Sequence, residues 1–511
     1  MENVYDSLQL LNKCKLLSEQ IVLENNITLE GIEEVKKVLS VGANVDLDYP
    51  IEALNNECKV LGKVVLNVVY LTNQDELGNQ VCTSNFDIKI NNQEIDTLSK
   101  INAKAEVVST NVSKVMGNQI KVITTLNVEG LAVKNKEVSY LKDTAENIFA
   151  QKKEEVVEQF DKFCCESFNE LLSAKVNDGV KKILMTNVDY VIKDYTLGKN
   201  FVSVEGEIYA KVLYANNQEI SELQTITITK EFKQEIEAEG VDKECLIDIF
   251  ANVKNENVLV ELEELENNQT QINVSVTLSV CFNVYKKQQI LTIQDVYSTK
   301  DILSIHKEES DCYINCDHEI LEGKIEGNVV LSDQQARVDK YLCTTNVTNH
   351  TSNVYVSDNK MYIEGIVNCN VVYLNDELGS VQSVEIEIPY VIDKKVDLDN
   401  DIILEPNVCL YDIDVMVKRG REIYFDAKVK AFINVACKSS VCLVAKTECL
   451  GELEKRNNAI EIYFAKAGET FWEIAKNLKI PTEVIASQNP SLVDPLQEDQ
   501  NIAIYFQKQR G

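Results

Sequence analysis

A mainly β fold is predicted: three tandem β-rich repeat domains with short helices, followed by a small C-terminal β-α-α-β module. Three observations predict it. First, three segments carry a glycine followed eight residues later by a tyrosine, Gly62…Tyr70, Gly206…Tyr214 and Gly365…Tyr373. Second, alternate positions between them stay apolar (Val64, Leu66, Val68; Ile208, Ala210, Val212; Val367, Cys369, Val371), the period-2 pattern of a strand with one face in a core. Third, the last fifty or so residues switch to a mixed strand and helix pattern. A repeat of this period is read before anything else, because it sets the domain plan.

Each element of the repeat follows in order. Upstream of each glycine, Val35/Val38/Leu39, Val180/Ile183/Leu184 and Val338/Tyr341/Leu342 fall at i, i+3 and i+4, which predicts a short helical turn. The valines precede the glycines by 27, 26 and 27 residues. After the glycine strand comes a turn, Asp75-Glu76-Leu77-Gly78 in the first copy, Asn216-Asn217 in the second and Asp376-Glu377-Leu378-Gly379 in the third. A second alternating strand follows: Phe86-Ile88-Ile90, Ile226 and Ile228, and Val384-Ile386-Ile388. A late strand recurs at Ile120/Leu126, Ile272/Leu278 and Ile423/Val429. Chance alternation would not keep these offsets.

The C-terminal segment alternates at Ile460, Ile462 and Phe464 and then reaches Gly468. Thr470-Phe471-Trp472-Glu473 is a capping box, with Thr470 accepting from a backbone N–H three residues on and Glu473 reaching back. Phe471, Ile474, Ala475 and Leu478 fall on one helical face. Pro481 stops that helix and Thr482 is placed to cap a second. Asn489-Pro490 ends the second helix, because the residue before proline is pushed out of the α region. Ile502, Ile504 and Phe506 alternate in a final strand.

Composition bounds the function. The 511 residues exceed what a single core usually supports. The net charge is -31, from 51 basic and 82 acidic side chains. Nucleic-acid backbones, which need cations to replace counterions, are disfavoured, as is adhesion to anionic membranes; a basic protein partner is favoured. The opening Met1-Glu2-Asn3-Val4-Tyr5-Asp6 shows no signal-peptide pattern, and no apolar stretch is long enough to insert in a membrane. The 15 cysteines are scattered without a C-x-x-C, which suits free thiols and no disulfides.

No enzyme is expected. Only His306, His318 and His350 are present, and no P-loop or nucleophile-elbow motif occurs. Cys312, Cys316 and His318 lie close together but lack a second ligand pair at zinc spacing, so neither metal nor cofactor is expected. Glu261–Glu266 lacks the order of a calcium loop and reads as a solvated face.

The C-terminal pattern resembles the LysM domain, through Ala467-Gly468-Glu469-Thr470-Phe471-Trp472-Glu473-Ile474-Ala475 and Gln488-Asn489-Pro490. That resemblance implies two ligand loops, Gly468, Glu469, Thr470 and Phe471 with Trp472 beside them, and Asn489, Pro490, Ser491 and Leu492. The family's usual ligands are peptidoglycan and other N-acetylglucosamine polymers. This copy departs from the pattern: Asp499 stands for the usual glycine and Tyr505 for the closing proline. It also carries seven acids (Glu461, Glu469, Glu473, Glu483, Asp494, Glu498, Asp499) against three lysines (Lys466, Lys476, Lys479). Trp472 reads equally as a sugar-stacking, a packing or a protein-contact residue; beside Phe471 it suggests an exposed aromatic anchor.

The repeats resemble the SPOCS-type domains of spore-coat morphogenetic proteins, in V-K-K-V-L and V-K-K-I-L and in the G-x-V-x-x-x-V-V-Y-L strands. Tandem copies before one LysM-like domain resemble such a protein of clostridia. The shared offsets and the charged stretches between them predict an N-terminal segment at 1–24, repeats at 25–145, 170–300 and 325–450, a helical linker at 146–169, a linker at 301–324, a hinge at 451–458 and the LysM-like domain at 459–507. The resemblance implies a scaffold in the mother-cell cytoplasm, at the outer forespore surface, whose partner is the coat-basement ATPase, similar to stage IV sporulation protein A. Two readings stay open for the LysM-like domain: docking of that ATPase, or binding of peptidoglycan in the cell wall or cortex.

Overall fold

The computed structural model describes residues 3–16, 18–74, 76–177, 179–216, 223–266, 269–375, 380–398, 401–454, 456 and 459–506. The expected turn residues Asp75, Asn217 and Asp376–Gly379 lie outside these, as do Asn457 and Asn458 of the hinge.

Unit 1 opens on β1 (Val4–Lys15) and β2 (Glu19–Thr28). It continues through β3 (Val35–Leu47), the short β4 (Glu52–Leu54), β5 (Glu57–Thr72) and β6 (Leu77–Asn91), and returns on β7 (Lys100–Met116) and β8 (Gln119–Asp143). Unit 2 runs β9 (Ile148–Val176), β10 (Lys182–Leu197), β11 (Phe201–Ala215), β12 (Leu223–Glu237), β13 (Leu246–Val253), β14 (Leu259–Glu264) and β15 (Thr270–Ser298). Unit 3 runs β16 (Asp301–Val330), β17 (Lys340–Ser357), β18 (Lys360–Asn375), β19 (Ser380–Lys395), β20 (Ile402–Lys418) and β21 (Glu422–Glu452).

The topology repeats. In each unit an antiparallel meander (β3-β5-β6, β10-β11-β12, β17-β18-β19) forms one sheet. The opening strand, the long return strand and the strand before it form the other: β1 and β2 with β8 and β7, β9 with β15, β13 and β14, and β16 with β21 and β20. Each pair of sheets encloses its own core, which holds the alternating residues Val64, Leu66 and Val68, then Ile208, Ala210 and Val212, then Val367, Cys369 and Val371.

The three glycines sit mid-strand in the central strand of each meander. Directly opposite them lie aromatic rings, Gly62 facing Phe86, Gly206 facing Phe232 and Gly365 facing Tyr390. A Cβ on Gly206 would lie 2.4 Å from the Val191 carbonyl oxygen and 2.6 Å from the Phe232 ring. The ring occupies the space a side chain would need, so the glycine serves close approach.

Two expectations of helix are corrected. The i, i+3, i+4 signatures are strands: β3, β10 and β17 carry register breaks at Val38/Ser40, Ile183/Met185 and Tyr341/Cys343. A bulge adds one residue and shifts the phase of alternation, so a bulged strand imitates helical spacing. The added residues Leu39, Leu184 and Leu342 are buried together with Val69, Leu213 and Val372, at a junction to which all three meanders contribute equivalent positions. The stretch 146–169, expected to be helical, lies almost wholly in β9, paired with β15. Lys152, Lys153 and Glu154 are exposed, whereas Glu158 is buried and accepts from the Asn315 N–H at 2.7 Å. The stretch 301–324 likewise lies in β16.

Beyond the sandwiches, the paired long strands β1·β8, β9·β15 and β16·β21 pack into a shared stalk. Its successive apolar layers draw on all three pairs, as with Leu8, Leu10, Val138, Val157, Cys312 and Leu443. A cavity of about 350 Å³ lies between the units, lined among others by Tyr49, Ala103, Phe250, Thr351 and Leu404.

The expectation of free thiols throughout is also corrected. Cys165 and Cys281, 116 residues apart, face each other across β9 and β15 and form a disulfide; Cys437 is disulfide-bonded as well. Strand register creates the first pair, and sequence spacing hides it.

The chain ends in β22 (Ile460–Ala465), α1 (Phe471–Leu478), α2 (Thr482–Gln488) and β23 (Gln500–Tyr505), with β22 and β23 antiparallel. Among the described residues no helix is long and apolar enough to cross a membrane.

Candidate functional site: the C-terminal module

The start of α1 is built as its sequence dictates. Thr470 Oγ1 accepts from the Glu473 N–H, and the Glu473 carboxylate accepts from the Thr470 N–H at 2.8 Å. Phe471, Ile474, Ala475 and Leu478 are buried, and with Ile485, Ile502 and Ile504 they make the module's core. Thr482 does not cap α2 through its side chain.

The first loop is tied at several points. Gly468 adopts φ +90° with open space around it. Its N–H donates to the Leu496 carbonyl at 2.8 Å, and the Leu496 N–H returns to Glu469 at 3.0 Å. The Phe471 N–H donates to Asp494, and the Ala467 N–H to Asp499, at 2.9 and 2.8 Å. Asp499, where LysM domains usually have glycine, thus holds the loop. In the second loop Asn489 donates its side-chain amide to the Ile485 and Ala503 carbonyls, while Pro490 and Ser491 are exposed and Leu492 half-buried.

The structure separates the two aromatic residues at the helix start. Phe471 is a core residue rather than part of an exposed pair. Trp472 is half-buried and points at unit 2: its ring meets Tyr297 edge-on at 4.9 Å, and its indole N–H donates to Asp295 at 3.2 Å. Lys476, one turn on, donates to the same carboxylate at 2.5 Å. Tyr297 donates to the Ile480 carbonyl at 2.7 Å and stacks on Phe149. Burial works against charge at Asp295, yet Lys476 and the indole hold its carboxyl below the usual range. Sequence reading missed Asp295 and Tyr297, since nothing local marks them.

The outward face of the module is apolar. Ile460, Ile462 and Phe464 alternate as expected, but toward solvent: they are 52, 57 and 76% exposed, and Tyr505, paired with Ile460, is 59% exposed. The inward positions of β22 are Glu461, Tyr463 and Ala465.

Elsewhere, ionisable groups are engaged with one another. Lys104 is 3.0 Å from both Glu106 and Glu129, and His350 lies 3.0 Å from Glu106. Cys312 is buried and His318 stacks on Phe432 at 4.8 Å; the side chain of Cys316 lies outside the description. Among the described residues no group of histidine, cysteine and carboxylate side chains is arranged to hold a metal ion.

Comparison with known families fits this repeat architecture. The family described as SipL, SPOCS domain, matches the chain twice, over residues 179–263 and 340–418. These spans cover the meander and the strands that follow it in units 2 and 3. No curated protein and no solved structure matches the chain. The fold and the matches define a class, that of proteins built from tandem SPOCS domains. Over these two spans the chain is similar to SipL, which supports a SipL-like, sporulation-related protein.

Proposed function

We propose that the chain is a non-enzymatic scaffold for spore-coat assembly in the mother-cell cytoplasm, at the outer forespore surface. Its LysM-like module docks the coat-basement ATPase, a protein similar to stage IV sporulation protein A. The observation that carries this reading is the exposed apolar face of Ile460, Ile462, Phe464 and Tyr505. A small sheet face of large side chains left in water is the kind of surface that a protein partner covers. The net charge of -31 favours a basic partner surface around that apolar centre. The tandem SPOCS matches support the sporulation setting.

The test is binding of the purified ATPase to the full chain and to Ile462→Glu/Phe464→Glu, with circular dichroism as a control on folding. Loss of two anchors of this kind costs about 2 kcal/mol or more, so affinity should fall at least about tenfold. Tight binding of chitin oligomers or peptidoglycan, with ATPase binding untouched by deletion of residues 459–511, would replace this reading by the glycan one.

A further inference from the structure

The face of α1 that carries Trp472 and Lys476 is closed by the chain itself. Asp295 and Tyr297 stand at the end of β15, where the stalk of unit 2 meets the module, and both are buried, at 8 and 1% exposed. Two donors converge on the one Asp295 carboxylate, the Trp472 indole N–H and the Lys476 ammonium, and the Lys307 ammonium of β16 forms an ion pair with it at 3.4 Å. Tyr297 adds an aromatic edge contact to Trp472 and a hydrogen bond to the Ile480 carbonyl, just beyond α1. Phe149 of β9 backs the tyrosine ring. The contact thus has an apolar half and an ionic half, and the ionic half depends on a single acid.

We propose that this contact is a latch: Asp295 and Tyr297 hold the module on the second repeat and keep Trp472 shut away from any outside partner until the latch opens. Its chemistry also states what opens it. A surface that brings a cation to Asp295 and an apolar group to the α1 face replaces Lys476 and Tyr297 in one step. A basic protein surface meets that description, and the strongly acidic chain attracts it. The latch itself is independent of the scaffold reading; only its effect on partner binding rests on that reading.

Trp472 is the sole tryptophan, so its fluorescence in the full chain reports the latch directly. In the wild type the emission should be blue-shifted and poorly quenched by acrylamide. Tyr297→Ala and Asp295→Lys should each shift it to the red and raise the quenching constant about twofold or more, as expected of a local opening. Adding Lys476→Asp to Asp295→Lys should restore part of the wild-type signal, because it rebuilds the ion pair though not the indole bond; a merely misfolded module would regain nothing. Wild-type quenching as strong as in the urea-unfolded chain would overturn the latch. So would opening variants that keep the wild-type emission, or a charge swap that restores nothing. Against the purified ATPase, the open variants should bind more tightly than wild type. Equal binding would overturn the blocking role, whereas binding by none of them would overturn the scaffold reading and leave the fluorescence result standing.

Discussion

Lys13 has its ammonium wholly buried, 3.0 Å from Asp248 and 3.0 Å from Glu405. The three residues belong to units 1, 2 and 3, so one cation bridges the whole repeat body. Tyr285 donates to the same Asp248 carboxylate at 2.5 Å. Burial alone would push the lysine down, but the two carboxylates overcome it and hold it well above its ordinary value. The site then has two acids for one base. Burial, with Asp248 beside it, pushes Glu405 up to about 7, against Lys13 pulling the other way. The folded chain therefore keeps a proton on Glu405 at pH values where the unfolded chain has lost it. Stability from this group is full below its ordinary value of 4.5 and is lost as pH rises through about 7. His350, raised by its bond to Glu106, adds a slope of the same sign from 6.5 upward, and Lys13 adds none in this window. The melting temperature should accordingly rise as pH falls from 8 to 5. Glu405→Gln should flatten part of that rise between pH 5 and 7, and thermal scans across a pH series in both proteins would show it. None of this was legible in the sequence: Lys13 sits in a segment assigned to no repeat, and its partners are hundreds of residues away.

At the scale of the element, alternation made the strands legible and the bulges made three of them look helical. The glycine strands and the strands after them follow their period-2 pattern because each has one face in a sandwich core. β3, β10 and β17 do not, because Leu39, Leu184 and Leu342 must leave that core and reach the junction between meanders. β9 was misread for another reason. Lys152, Lys153 and Glu154 open its run of charges in exposed positions of a strand that shares a stalk, so composition outweighed pattern. Helix α1 was legible in every detail, cap and buried face alike, because all its determinants are local. In β22 the alternation was legible but its direction was not: which face meets water depends on where the helices pack. The repeat glycine gives a test at this scale. In Gly206→Ala the new Cβ would meet the Val191 carbonyl and the Phe232 ring below contact distance, and a strand backbone between two partners cannot yield. A loss of about 1–3 kcal/mol is expected, read as a lower urea midpoint. Adding Phe232→Leu should return part of it by vacating the space. If Gly206→Ala proves neutral, the close approach does not explain why all three repeats carry glycine here.

At the scale of the whole molecule, the three units are related as sides of one body. Each gives a bulged leucine to the meander junction, a long strand pair to the stalk and one member to the Lys13 cluster. A unit cut free would expose its share of each. Unit 2 alone would uncover Leu184, Leu213, Val157 and Tyr285 together, an apolar surface of the kind that drives aggregation. The sandwich cores are separate, but the surfaces between them are not finished without the neighbours. The module differs, because it owns a complete core and touches the repeats mainly through the Trp472, Tyr297 and Asp295 contact. Truncations should therefore behave asymmetrically. A chain of residues 1–456 should keep its β-sheet circular dichroism, stay monodisperse in gel filtration and melt in one transition. A chain of residues 1–300, ending between units 2 and 3, should lose one of the three meanders at the junction, one of the three strand pairs of the stalk and Glu405, and should aggregate or melt far earlier. A stable, monodisperse 1–300 fragment would mean that the units stand alone and that their junction is incidental. The contrast also bears on function, because a repeat body that folds only as a whole offers the module a fixed base, and Asp295 and Tyr297 lie at the end of that base.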